Sequence, residues 1–239
     1  MDAETFALLK ETIRRFVDER LIPAEDRVEH EDAVPEEIIQ EMKDLGLFGL
    51  TVPIEFGGLG LTMSEEIEVL FDFGRTSLAY RSVFGTTVGI GSQGIVMDGT
   101  PEQKAEWLPR LATGEMIASF ALTEPGAGSD AASVSTSATK DGENYRLNGT
   151  KRYITNAPRA GFFTVMARSE ADVPGAAGIS AFIVPANSPG LSFGKLDKKM
   201  GQKGTMTCDV IFDDVIVPAA NIIGGVPGRG FKTAMKVLD

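Results

Sequence analysis

Two stretches carry residue types that could bind a flat, charged cofactor: Phe120–Asp130 (FALTEPGAGSD) and Lys151–Asn156 (KRYITN). In the first, an apolar run ends in the Thr123 hydroxyl, an acid and a proline. The chain then thins to Gly126, Ala127 and Gly128 before Ser129 and Asp130. Proline blocks a helix there, and the glycines permit positive φ and close backbone approach. Successive free N–H groups in such a turn form a nest for phosphate, with Ser129 as a further donor. In the second stretch, Thr155 offers a hydroxyl and Tyr153 an aromatic plane beside Ile154. With Thr123, and with Phe120 and Leu122 supplying apolar or main-chain contacts, they would suit the edge of a planar heterocycle. Both stretches also have plainer readings. A Pro-Gly-x-Gly-Ser-Asp run is ordinary turn chemistry, and Tyr153-Ile154 alternates like any strand. The G-x-G-x-x-G fingerprint between a strand and a helix is not present.

Composition removes several function classes. The 239 residues are 43% hydrophobic and 24% charged, as in a globular protein, and 23 Lys and Arg against 34 Asp and Glu leave a net charge of −11. That charge disfavours nonspecific nucleic-acid binding. One histidine, His30, and one cysteine, Cys208, cannot build a His/Cys metal site, an internal disulfide or a Ser-His-Asp constellation beyond His30 itself. His30 lies in a charged run and reads as a solvated or capping residue. No apolar run approaches the ~20 residues of a membrane span, and the acidic opening is no signal peptide. The lone cysteine fits a reducing compartment, so a cytoplasmic location is expected.

The elements that position the two stretches differ along the chain. Residues 1–118 read as a helical domain. Phe6, Leu9, Ile13 and Phe16 form one stripe, Pro23 ends or kinks that helix, and Pro35 opens another before Gly46. Thr62/Glu65 and Thr100/Gln103 have capping-box spacing. Between them, small and apolar residues from Ala79 to about Val96 predict a buried helix, some of whose residues could line a narrow pocket. Residues 119–215 read as short strands divided by turns, with Asp141-Gly142 and Asn148-Gly149 as hairpin signals, and so as a small antiparallel barrel or sandwich. Residues 213–230 read as a turn-rich linker. Phe231, Ala234, Met235 and Leu238 then begin a helix whose stripe needs a partner, read as the first turns of a missing C-terminal helical domain within 216–239.

FALTEPGAGSD, NGTKRYITNA, KKMGQKGTMTCDVIFDDVIVP and GRGFKTAMKVLD together resemble, in order and spacing, the acyl-CoA dehydrogenase family. The resemblance spans essentially the whole chain but only the first two of that family's three domains plus the start of the third. It implies an α+β subunit with an N-terminal helical bundle packed on an antiparallel β-barrel. It also implies FAD between that barrel and a C-terminal bundle, and a homotetramer or homodimer. By motif position, Leu122 and Thr123 are implied as contacts to the flavin pyrimidine, and Thr155 as the hydroxyl near flavin N5. Gly128 and Ser129 are implied at the pyrophosphate, with Ser129 bordering the CoA thioester. Phe120, Tyr153 and Ile154 complete the implied cofactor site; Phe120 stands where a tyrosine is common and Tyr153 where a tryptophan is. The implied reaction is α,β-dehydrogenation of an acyl-CoA to the trans-2-enoyl-CoA, with electrons leaving to an electron-transfer flavoprotein. Related flavin-dependent oxidases or monooxygenases, or a non-catalytic CoA-ester-binding fragment, are the alternatives. Glu124 matches a structural glutamate. The family's catalytic glutamate would fall beyond Asp239, so no catalytic residue is assigned, and weak FAD binding and negligible turnover are expected of the chain alone.

Overall fold

The structure is a computed structural model that describes residues 1–238. Its first half is helical: α1 (Ala3–Phe16), α2 (Glu25–Glu31), α3 (Glu36–Asp44), α4 (Met63–Phe73), α5 (Leu78–Thr86), α6 (Gln93–Asp98) and α7 (Pro101–Ala112). Helix α1 starts where the Asp2 carboxylate accepts the Thr5 N–H at 2.9 Å. Its stripe behaves as the spacing predicts, with Ile13 and Phe16 buried and Phe6 and Leu9 packed against the same core. Around Pro23 the helix changes pitch, widening to a π-turn over Val17–Leu21 and tightening over Ile22–Ala24 before α2. Both capping boxes form, on α4 and α7. Phe48, Phe73, Tyr80 and Phe84 fill the centre of this domain. His30 is exposed and bonds through Nδ1 to the Asp26 carbonyl one turn back.

Seven strands form one curled sheet: β1 (Ala118–Ala121), β2 (Ser137–Asp141), β3 (Asn144–Thr155), β4 (Phe162–Arg168), β5 (Ile179–Pro185), β6 (Leu191–Phe193) and β7 (Thr207–Pro218). Their order is β1-β4-β2-β3-β7-β6, with β5 on the other side of β4. Most pairings are antiparallel, but β1 lies parallel to β4, and one parallel bridge, Ser137–Arg168, joins β2 to β4. Strands β4 and β5 are buried almost end to end because both faces are covered. Phe163 and Val165 face the inside of the sheet, whereas Phe162 and Met166 face the helices. At that second interface the Trp107 and Phe162 rings meet edge to face, 5.1 Å between centroids.

Three sequence expectations change. Asp141-Gly142 turns the β2–β3 hairpin, but Asn148-Gly149 lies inside β3 at a register shift against β7. A Cβ on Gly149 would stand 2.5 Å from the Thr136 hydroxyl, so this glycine serves close approach rather than a turn. Strand β7 continues to Pro218 through the predicted linker, pairing Val215–Pro218 with the start of β3. Finally, α8 (Gly230–Leu238) finds a partner within the chain. Ala234 is fully buried, and the Thr233 hydroxyl bonds Asp98 on α6 at 2.6 Å. Leu238 is left 51% exposed.

The helical wall that matters for the site is α5, a π-helical turn over Thr87–Gly91, and α6. It docks on β1, where the Thr87 hydroxyl accepts the Ala118 N–H at 3.1 Å, and on β4, where Thr164 donates to the Gly91 carbonyl at 3.0 Å. A Cβ on Gly91 would lie 2.6 Å from the Ala118 Cβ. Gly91→Ala is therefore expected to destabilise the protein by about 1–3 kcal/mol through overpacking. Urea unfolding checks this, and an unchanged midpoint would show that the contact is not tight.

Candidate functional site

The two motif stretches meet. Lys151, completely buried on β3, donates to the Leu122 carbonyl at 3.0 Å and to Glu124 Oε1 at 2.8 Å. One residue on, the Arg152 N–H donates to the Thr123 carbonyl at 2.8 Å. The register of β3 against β7 then slips between Lys151 and Ile154, and Tyr153 adopts φ 59° in that bulge. A bulky residue with positive φ is strained, and bulges of this kind re-aim side chains beside functional sites. The Tyr153 ring is consequently 65% exposed while Ile154 turns into the core at 2%. Asn156, at φ 61°, ends the strand and ties it to the helical wall. Its side-chain amide donates to the Ser82 carbonyl at 2.7 Å and to the Thr86 hydroxyl at 2.8 Å. Spacing alone did not single out Lys151 or Asn156; both lie within a motif already singled out.

Phe120, Leu122, Thr123, Tyr153, Ile154 and Thr155 line a single groove of about 240 Å³, with Thr86 and Ile90 from the helical wall and Leu238 from α8. Neither the Thr123 nor the Thr155 hydroxyl is engaged by another described residue; the main-chain carbonyls of the two are, by Arg152 and by the Ser119 hydroxyl. Gly128 and Ser129 are exposed and lie outside this groove. Gly126 and Gly128 do not adopt the positive φ that the sequence reading allowed, because the tight turn closes instead through the reciprocal backbone bonds of Glu124 and Ala127. A Cβ on either glycine would meet nothing within 4 Å. The protein itself therefore gives no packing reason for glycine there. The N–H groups of Gly126, Gly128 and Ser129 also find no acceptor among the described residues. Free donors at one end and free hydroxyls with an open aromatic at the other match a planar ring joined to phosphate.

A wider cleft of about 650 Å³ adjoins the groove, sharing Thr86, Ile90 and Thr155. One wall is Arg81, Ser82 and Gly85 on α5 with Gly89 from the π-helical turn, within the Ala79–Val96 stretch that the sequence offered as a possible pocket lining. The other is Lys199–Thr205, within the KKMGQKGTMTCDVIFDDVIVP motif. Thr205 is 6% exposed and its hydroxyl has no hydrogen-bond partner.

Glu124 is the site's most perturbed acid. Burial alone would raise its carboxyl, but the Lys151 ammonium and the hydrogen bonds from Thr136 and Ser135 outweigh that and lower it to about 2. Lys151 moves down from the ordinary lysine range because burial penalises its charge more than Glu124 supports it. A carboxylate held this firmly ionised is unsuited to take a proton reversibly near neutrality. The depressed Glu124 value contributes stability that is fully present above about pH 4.5 and is lost as the pH falls toward about 2. Glu124→Gln should flatten the stability profile across that window in urea titrations; an unaltered slope would remove Glu124 as its source. Lys151→Met, which strands the buried carboxylate, should cost about 3–5 kcal/mol.

No helix among the described residues is long and apolar enough to cross a membrane. Family models described as the acyl-CoA dehydrogenase N-terminal domain and the acyl-CoA dehydrogenase middle domain match residues 3–115 and 119–215. An acryloyl-CoA reductase (NADH) of Anaerotignum propionicum is 42% identical over 234 residues, covering 97% of this chain and 59% of that relative. Among solved structures, an electron transferring flavoprotein structure of Acidaminococcus fermentans superimposes with a TM-score of 0.93 at 34% identity, covering 100% of this chain and 63% of that one. An acyl-CoA dehydrogenase complexed with FAD from Bacillus anthracis gives 0.89 at 35%, covering 99% and 40%. The chain thus spans about three fifths or less of the length of these relatives. With these two domain models matching consecutive parts of the chain, over a fold that brings its two motif stretches together, the chain belongs to the acyl-CoA dehydrogenase family.

Proposed function

We propose that this chain supplies the first two domains of an FAD-dependent acyl-CoA dehydrogenase, which removes hydrogen across the α,β bond of an acyl-CoA thioester and passes electrons to an electron-transfer flavoprotein. The observation that carries this reading is the pair of uncommitted hydroxyls, Thr123 and Thr155, facing one groove beside the exposed Tyr153 ring. In this assignment Leu122 and Thr123 hold the pyrimidine edge of the flavin and Thr155 sits toward its redox-active nitrogen. Phe120, Tyr153 and Ile154 frame the ring through side-chain or main-chain contacts. Gly128 and Ser129, on the exposed loop, meet the pyrophosphate, and Ser129 also borders the thioester. The bound flavin supplies hydride acceptance from the β-carbon.

The chain's own residues supply position. Lys151 and Glu124 fix the turn that carries Thr123, and the Tyr153 bulge sets the approach of Thr155. The acyl group extends from the groove into the wider cleft along α5 and the π-helical turn after it, where Gly89 leaves open space. Glu124 is not the base that removes the α-proton, because its oxygens are occupied by Lys151, Ser135 and Thr136. The alternative of a related flavin oxidase uses the same groove and differs in the fate of the electrons.

The full-length protein should be isolated with FAD. Under anaerobic conditions its flavin absorbance should bleach on addition of an acyl-CoA, with the enoyl-CoA recovered by mass spectrometry. Thr123→Val and Thr155→Val should each weaken FAD binding by about 2- to 10-fold, the worth of one neutral hydrogen bond. A protein that takes up no flavin, or whose flavin no acyl-CoA reduces, would refute the assignment.

A further inference from the structure

The bulge that turns Tyr153 outward also fixes the side chain beside it. In the ladder of β3 with β7, Lys151 pairs with Val210 and Ile154 with Cys208, so Arg152 and Tyr153 together stand opposite the single residue Asp209. Arg152 reaches across that gap. Its Nε donates to Asp209 Oδ1 at 3.1 Å and its Nη2 to Asp209 Oδ2 at 2.8 Å, the two-pronged pairing of a guanidinium with a carboxylate. These bonds hold the Asp209 carboxyl below its ordinary range, so the pair stays ionised at neutral pH. The main-chain N–H of the same residue holds the Thr123 carbonyl at 2.8 Å. Arg152 is thus tied to the turn through its backbone and to β7 through its side chain.

With the guanidinium anchored, its charge falls on the neighbouring ring. Arg152 Cζ lies 5.9 Å from the centroid of the Tyr153 ring, within reach of a cation–π contact. That contact matters because Tyr153 has little else to hold it. The residue is 65% exposed, its backbone sits at φ 59°, and its hydroxyl makes no hydrogen bond with any described residue. An exposed aromatic side chain without such a neighbour exchanges among its staggered rotamers. The Arg152–Asp209 pair is itself partly exposed, and an ion pair of that kind adds little to folding stability. Lys151 and Ile154, on either side of the bulge, are buried and hold the strand. What the pair fixes is the ring.

We propose that Arg152 is a positioning residue for the groove: clamped to Asp209 across the bulge, it holds the Tyr153 ring in one orientation on the wall where the planar cofactor lies. This inference rests on the reading of the groove as the flavin site. Removing either half of the clamp frees the ring to swing toward solvent. Thr123 and Thr155 keep their places, because the main-chain bond of residue 152 to Thr123 survives a side-chain substitution and Asn156 still anchors the end of the strand. An electron-rich phenol in contact with an excited flavin quenches its fluorescence by electron transfer, so the placement of the ring can be read from the emission of the bound cofactor. A cation–π contact at an exposed site biases the ring between its orientations by about 2- to 5-fold.

The test uses the full-length holoprotein, freed of unbound flavin, and reads the emission of the bound flavin. Tyr153→Leu gives the signal of an absent ring and should raise the emission. Arg152→Met and Asp209→Asn should each raise it about 2- to 5-fold, and Arg152→Lys, which keeps the charge but not the fork, should fall between them and the wild type. In the Tyr153→Leu background Arg152→Met should add nothing. A second readout needs no flavin: in fluorotyrosine-labelled protein, the fluorine NMR line of Tyr153, assigned with Tyr153→Phe, should move toward the position of the free amino acid in Arg152→Met. An unmoved line with unchanged emission in Arg152→Met overturns this inference and leaves the flavin reading intact, as does a rise in emission that persists undiminished without Tyr153. If Tyr153→Leu leaves the emission unaltered, the flavin reading of Tyr153 fails, and the fluorine line alone decides whether Arg152 holds the ring.

Discussion

The site depends on one buried ion pair. Lys151 has no exposed surface, and its ammonium reaches across from β3 to Glu124 and the Leu122 carbonyl. Taking both charges out of water is expensive, and such a pair is weak evidence for stability by itself. It is strong geometry, because among the described residues the partners of the ammonium are Glu124 and the Leu122 carbonyl, both on the turn. The Glu124 carboxylate is equally committed, accepting the Ser135 and Thr136 N–H groups at 2.6 and 2.9 Å and the Ser135 hydroxyl at 2.8 Å. A turn that might have been a loose surface loop is thereby locked against a central strand, and Leu122 and Thr123 are carried with it.

The consequences run outward from that lock. Strand β3 is held at Lys151 from one side and at Asn156 from the other, the latter by helix carbonyls of Ser82 and Val83 and by the Thr86 hydroxyl. Between these two anchors the chain has one residue more than the ladder with β7 can pair, and Tyr153 absorbs the excess at positive φ. The same Asn156 contacts bring α5 against the end of the strand, so the groove and the wider cleft share a wall. Arg81 and Gly85 line the cleft on that wall.

Much of the fold was legible locally. Apolar period located the helices, the two capping boxes marked α4 and α7, and Asp141-Gly142 marked its hairpin, because each signal rests on neighbours within a few residues. Asn148-Gly149 misled for the complementary reason. Its glycine answers a clash with Thr136, a residue 13 positions earlier, and no local pattern records that. Strand β7 was cut short in the sequence reading because DDVIVP resembles a linker until β3 is alongside to pair it. The eight residues read as a cofactor site divide in the same way. Phe120, Leu122, Thr123, Tyr153, Ile154 and Thr155 share one groove, while Gly128 and Ser129 sit apart on an exposed loop whose role is set by what it meets.

By itself the sequence determined the class of the molecule: a helical half followed by a strand-rich half, an acidic chain without His/Cys metal chemistry, and two motifs whose hydroxyls, glycines and aromatic suit a planar phosphate-bearing ligand. Those properties are sums over composition or patterns of short range. Tertiary structure alone decided that Lys151 would reach Glu124, that Tyr153 would be turned outward by a bulge, and that Arg81 and Gly85 would line the cleft. Each of these depends on where segments tens of residues apart are placed, and that placement follows from packing the whole core rather than from any one stretch of it.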